Sequence, residues 1–147
     1  MQQHDWNLFR KDVYMSNWTH VAAIFRIDDV RLDNTVPDWD KIFGEECLFE
    51  DSFDVWNDAE ENPENYLPMG SEGSLQKSVW INPCRCDLAA YTVSVFGDLR
   101  DHDSVDEIID WFYKKCRQIR LIRQAVITVD NEHYGNRTER YQCEDID

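Results

Sequence analysis

Apolar positions along the chain recur with two periods. Residues 19–28, THVAAIFRID, hold a short run rich in Val, Ile and Phe and predict a central strand. Residues 74–82, SLQKSVWIN, end in an apolar run closed by Pro83 and predict a second strand. In 88–97, LAAYTVSVFG, Tyr91, Val93 and Val95 alternate with Thr92, Ser94 and Phe96, the pattern of a strand with one buried face. The intervening Pro83–Asp87 has the length of a hairpin loop. Residues 104–119, SVDEIIDWFYKKCRQI, switch to helical spacing: Val105, Ile108, Ile109, Phe112, Cys116 and Ile119 share one face. Ser104 with Glu107 forms a capping box. Acids near the start of this helix and bases near its end suit its dipole. Residues 121–130, LIRQAVITVD, predict a last strand. Asn131 to Tyr141 reads as a polar turn with a weak extension, and 144–147 as a fraying end.

A second amphipathic pattern lies in 44–65, GEECLFEDSFDVWNDAEENPEN. Phe49, Phe53 and Trp56 are spaced i, i+4, i+7, and Glu50, Asp54 and Asp58 form another row, with Asp51 and Glu61 beside it. Carboxylates four residues apart on a helix rise about 6 Å per step. The stretch is expected to form an acidic helical segment that docks by its aromatics. Like charges at this spacing disfavour a helix, so a flexible acidic insert is the competing reading. The element order is strand, acidic helical region, strand, strand, helix, strand. That is the split βαβ order of an α+β ferredoxin-like fold: a four-stranded antiparallel sheet with helices on one face. No repeat or low-complexity linker divides the 147 residues, so one domain is expected.

Charge sharpens this picture. The net charge is −15, with 30 acids against 15 bases. It is localised: Asp38 to Glu72 carries −11 and the rest −4. A chain of this sign repels nucleic acid and anionic membrane and is drawn to basic surfaces. Hydrophobic content of 42 % and aromatic content of 13 % argue against a disordered chain despite the charge. No stretch approaches the roughly 18 apolar residues of a membrane helix. The opening MQQHDWNLFRKD lacks the apolar core of a signal peptide, so the protein is expected to be soluble and intracellular. The five cysteines, an odd number, fit reduced thiols there.

Candidate chemistry is sparse. Asp98, Asp101, His102 and Asp103 offer metal-ligand atoms between a strand and a helix, but no second ligand cluster accompanies them, and acids there favour a helix N-terminus. Cys84 and Cys86 have no second pair for a zinc site. No nucleophile motif, P-loop or GxGxxG is present, and MGSEGS (69–74) precedes a strand, so it reads as a flexible connection. No catalysis and no cofactor are expected. Lys114, Lys115, Arg117, Arg120 and Arg123 form a basic cluster that either grips an anionic ligand or compensates the helix dipole and the chain's own acids.

The carboxylates of 45–64 and the stretch AAYTVSVFGDLRDHDSVDEIIDWF (89–112) resemble the small acidic anti-defence proteins of phages and mobile elements, the DNA-mimic and anti-CRISPR-type inhibitors. The resemblance implies a non-catalytic inhibitor. Its acidic surface would occupy the groove of a basic nucleic-acid-binding protein such as a CRISPR-type defence nuclease. Interleaved carboxylates and aromatics can meet the Lys and Arg that otherwise neutralise phosphates. From the residues themselves, the partner-binding set is Glu45, Glu46, Glu50, Asp51, Asp54, Trp56, Asp58, Glu60, Glu61 and Glu64. Two other readings stand beside it: a small-ligand or signalling-nucleotide sponge using the sheet face or the basic cluster, and a structural or assembly subunit.

Overall fold

The computed structural model describes residues 16–30, 37–83, 88–102, 104–120 and 122–143. The calls of a Cys84–Cys86 pair and of a fraying 144–147 lie outside the described residues. Strand β1 is Trp18–Val30, followed by a short helix α1 (Trp39–Phe43), helix α2 (Phe53–Glu61) and a single 3-10 turn at Pro63–Asn65. The small hairpin β2 (Met69–Gly70) and β3 (Gly73–Ser74) leads into β4 (Gln76–Pro83) and β5 (Leu88–Arg100). Helix α3 (Val105–Gln118), β6 (Ile122–Asn131) and β7 (Gly135–Gln142) complete the chain.

The main sheet is antiparallel and mixed with helices, in the order β4-β5-β1-β6-β7. It has five strands, which corrects the four expected from the sequence. The additional strand is β7, the "weak extension". Its side chains are mostly exposed, so the apolar alternation that marks a strand is missing. Polar contacts hold it instead: Thr128 with Thr138 across the ladder, Tyr113 Oη donating to Glu139 at 2.6 Å, and Arg137 reaching Asp106 at 2.7 Å.

Period-two alternation decides which face is buried. Val21, Ala23, Phe25 and Ile27 of β1, Val93 and Val95 of β5, and Ala125, Ile127 and Val129 of β6 point to one side. There they meet the apolar face of α3, whose Val105, Ile108, Ile109, Phe112 and Cys116 are buried as the sequence spacing predicts. Phe25 sits at the centre, its ring centroid 4.9 Å from Phe43 of α1 and 5.5 Å from Phe112 of α3. Helices α1 and α3 therefore cover the same face. Helix α2 does not join them. It packs in a satellite cluster of Cys47, Ala59 and Tyr66 beside the sheet. The opposite sheet face, which includes the exposed Ile24, Phe96 and Val126, is open among the described residues. None of the helices of the described residues is long and apolar enough to cross a membrane.

Candidate protein-binding surface

The acidic stretch is ordered by main-chain contacts at several points. Gly44 has a positive φ of 126°, and a Cβ there would fall 2.7 Å from the Leu67 nitrogen, so the turn out of α1 requires glycine. Immediately after it, Glu45 N–H donates to the Asn65 carbonyl and Leu67 N–H to the Glu45 carbonyl, both at 2.9 Å. Ser74 N–H donates to the Cys47 carbonyl, and the Ser74 hydroxyl accepts from Cys47 N–H. The MGSEGS stretch expected to be a flexible connection is thus an ordered hairpin. Gly70 packs so closely on β5 that a Cβ would lie 2.5 Å from the Arg100 carbonyl oxygen.

Helix α2 is shorter than the acidic segment. It starts where Ser52 caps it, accepting from Val55 N–H, and it ends at Glu61, before Pro63. Glu45, Glu46, Glu50 and Asp51 precede the helix and Glu64 follows it. The docking face also differs from the expected Phe49–Phe53–Trp56 row. Ala59 is buried, with Val55 and Trp56 packed around it, and the Trp56 indole N–H donates to the Leu48 carbonyl at 3.2 Å. Phe49 and Phe53 point outward, 70 % and 86 % exposed.

The ten candidate residues separate into two groups. Four serve the fold. Glu46 accepts from the main-chain N–H of Lys77 on β4 at 2.7 Å. Asp51 accepts from Leu48 N–H at 2.7 Å, closing its own turn. Asp58 accepts from the Tyr66 hydroxyl at 2.7 Å and from Asn62 at 2.9 Å. These two bonds hold the Asp58 carboxyl below its ordinary value, and the bond to Asp58, together with burial, pushes the Tyr66 phenol up to about 12. Trp56 packs inward. The other six, Glu45, Glu50, Asp54, Glu60, Glu61 and Glu64, are exposed, and none of them pairs with a cation among the described residues. Asp54, Asn57, Glu60 and Glu61 lie on the outward side of α2. A groove of about 610 Å³ runs past Phe49, Phe53, Trp56 and Glu60 to Ser71.

Among the described residues the alternative chemistry is dispersed, and Asp103 lies outside them. Asp98 points to the open sheet face and bonds the His20 ring at 2.7 Å, which raises the His20 pKa. Asp101, in a left-handed turn at φ 59°, accepts from Asn17 N–H. The His102 ring faces Glu107 at 3.5 Å. No group of three or more ligand side chains converges among the described residues. The basic cluster is also divided: Lys115 is half-buried and donates to the Ile42 carbonyl at 3.3 Å, and Arg123 pairs with Asp28. Burial lowers the Lys115 pKa. Sequence reasoning missed Phe49 and Phe53 as exposed residues, because helical spacing assigned them inward. Comparison with family models, with curated proteins and with solved structures finds no match.

Proposed function

We propose that this protein is a non-catalytic binding inhibitor of phage or mobile-element origin. Its target is a basic nucleic-acid-binding protein of the defence-nuclease kind, engaged through the α2 surface. The observation that carries this reading is the outward side of the acidic stretch. Six exposed carboxylates there have no cation partner among the described residues, and one of them, Glu60, lines the groove that also holds the mostly exposed Phe49 and Phe53. Carboxylates alone steer a basic partner but hold it weakly, since exposed ion pairs contribute little. Apolar anchors inside a charged rim supply the short-range part of the affinity. The surface thus combines the charge of a phosphate backbone with contacts that DNA does not offer.

The finer fold assignment belongs to the same proposal. The order β4-β5-β1-β6, with one crossover through α1 and α2 and another through α3, supports a ferredoxin-like arrangement with β7 appended. Such a frame leaves the connection between β1 and β4 free to carry the binding surface.

The test is capture from bacterial lysate with the tagged protein, with bound proteins identified by mass. One variant carries Glu50→Gln, Asp54→Asn, Glu60→Gln and Glu61→Gln, which removes charge and leaves Glu46, Asp51 and Asp58 in place. A second carries Phe49→Ser and Phe53→Ser. The expected result is a basic nucleic-acid-binding protein that the parent retains at low salt, releases as salt rises, and displaces from DNA, while both variants lose it. Capture of the same proteins by parent and variants would sink the reading.

A further inference from the structure

The two edges of the main sheet are treated differently. A free strand edge exposes main-chain donors and acceptors and invites pairing, so proteins blunt it with charge, proline or a covering group. The β7 edge carries Arg137, Glu139 and Arg140. On the β4 edge, Ser78 to Pro83 carries no charged residue, and Trp80 and Ile81 are 63 % and 45 % exposed.

The blunting of β4 is partial. In an antiparallel ladder, alternate residues turn their N–H and C=O to the same side. Lys77 N–H turns away from β5, because it donates to the Glu46 carboxylate at 2.7 Å. Lys77 is further fixed by its ammonium, which donates to the Gly44 carbonyl at 3.0 Å and pairs with Asp40. Val79 and Ile81, two and four residues on, must turn their main-chain groups to the same outer side. No hydrogen bond reaches those groups from outside the β4–β5 ladder among the described residues. Pro83 then ends the strand without an N–H to offer. The open length of edge is therefore bounded by Glu46 at one end and Pro83 at the other.

We infer that this edge pairs with the same edge of a second copy of the chain, in an antiparallel two-fold register centred on Trp80. In that register Val79 of one copy lies opposite Ile81 of the other, and each such pair exchanges both main-chain hydrogen bonds. Shifting the register by two residues brings either the Glu46-covered Lys77 or the proline into the paired segment. The Trp80-centred register leaves both outside. It also makes Trp80 a non-hydrogen-bonded pair with its own copy, about 4.5 Å apart at Cα, where cross-strand side chains pack closest. An isologous contact of this kind is the usual way two identical chains associate. Charge favours this occupant: the strip is the part of the β4 edge where two chains of −15 each can meet without opposing carboxylates. A basic peptide, drawn to the acidic stretch, finds no acid between Ser78 and Pro83 to hold it. The two open sheet faces would then join into one surface.

Sedimentation equilibrium of the full chain, from low to high micromolar concentration, tests this. The expected mass rises from one chain to two, and added salt promotes association by screening the net charge. Val79→Pro removes a main-chain donor that the β4–β5 ladder does not use, and should weaken association by about tenfold or more. Trp80→Lys sets like charges opposite each other and should do the same from an exposed position, so it decides the matter if the proline variant misfolds, as monitored by circular dichroism. A parent that stays monomeric throughout, or association that Trp80→Lys leaves unchanged, overturns the proposal.

Discussion

Asp58 accepts hydrogen bonds from Tyr66 and Asn62 although it lies in a row of acids that look interchangeable in the sequence. The pairing has a titration signature. The Tyr66 phenol rises from its ordinary value of 10.0 to about 12, first through the bond to Asp58 and then through burial. A raised phenol pKa means that this bond's contribution to stability is fully present below pH 10 and drains away as pH climbs through 12. The lowered Asp58 carboxyl has the opposite sense: its contribution is present above its ordinary value of 3.8 and is lost as pH falls through the folded value. At neutral pH both are in force. Asp58→Asn should bring the Tyr66 transition down toward 10, followed by NMR of ring-labelled tyrosine. A Tyr66 transition that does not move would mean the bond does not form. Glu46 and Asp51 make the same point, each accepting a main-chain N–H at 2.7 Å. Which acids serve the fold depends on partners as far as 31 residues away, and no local pattern in the sequence carries that information.

At the level of elements, legibility followed the source of stability. Strands β1, β5 and β6, buried on one face, and β4, whose Val79 packs against the core, appear in the sequence as apolar runs or alternation, and the structure places them within a few residues of the expected bounds. Helix α3 carries both signals at once, an apolar face and a capping box, and the structure gives Val105–Gln118 with Ser104 as the cap. Elements that depend on polar or tertiary contacts were poorly legible. Helix α1 is one turn long and is fixed by Phe43 and Trp39 against Phe25 and Tyr91. Strand β7 relies on Tyr113 and Arg137. Of the expected docking row on and before helix α2, Trp56 packs inward, beside Val55 and Ala59, while Phe49 and Phe53 face outward, and the chain before the helix is pinned by main-chain bonds to 65–67 and 74. The capping prediction belongs at this scale. The Ser104 hydroxyl accepts Glu107 N–H at 3.1 Å, at the start of the helix that covers the core. Ser104→Ala should lower stability by about 1 kcal/mol in urea denaturation with an unchanged slope. No measurable loss would mean that the helix start is held by packing of Val105 and Ile108 alone.

For the whole molecule, the balance of charge is the dominant physical fact, and it acts in opposite directions on stability and on binding. Of the net −15, most lies between Asp38 and Glu72, where Lys41 is the single base. Several of these acids are offset internally, by Lys77 on Asp40, Arg100 on Glu72 and main-chain or phenol donors on Glu46, Asp51 and Asp58. The remainder repel one another across the α2 surface, and screening relieves that repulsion within a Debye length of about 10 Å at 0.1 M salt. Raising sodium chloride should therefore raise the melting temperature of the parent. The charge-reduced variant at Glu50, Asp54, Glu60 and Glu61 should start higher and respond less. The same salt should weaken capture of a basic partner, since that attraction is screened as well. A common origin in one surface requires the two effects to shrink together in the variant. If the variant keeps the parent's full salt response in melting, the strain of like charges lies elsewhere in the fold. On the function proposed above, the segment retains this self-repulsion because it meets opposite charge, and the paired measurement tests that link directly.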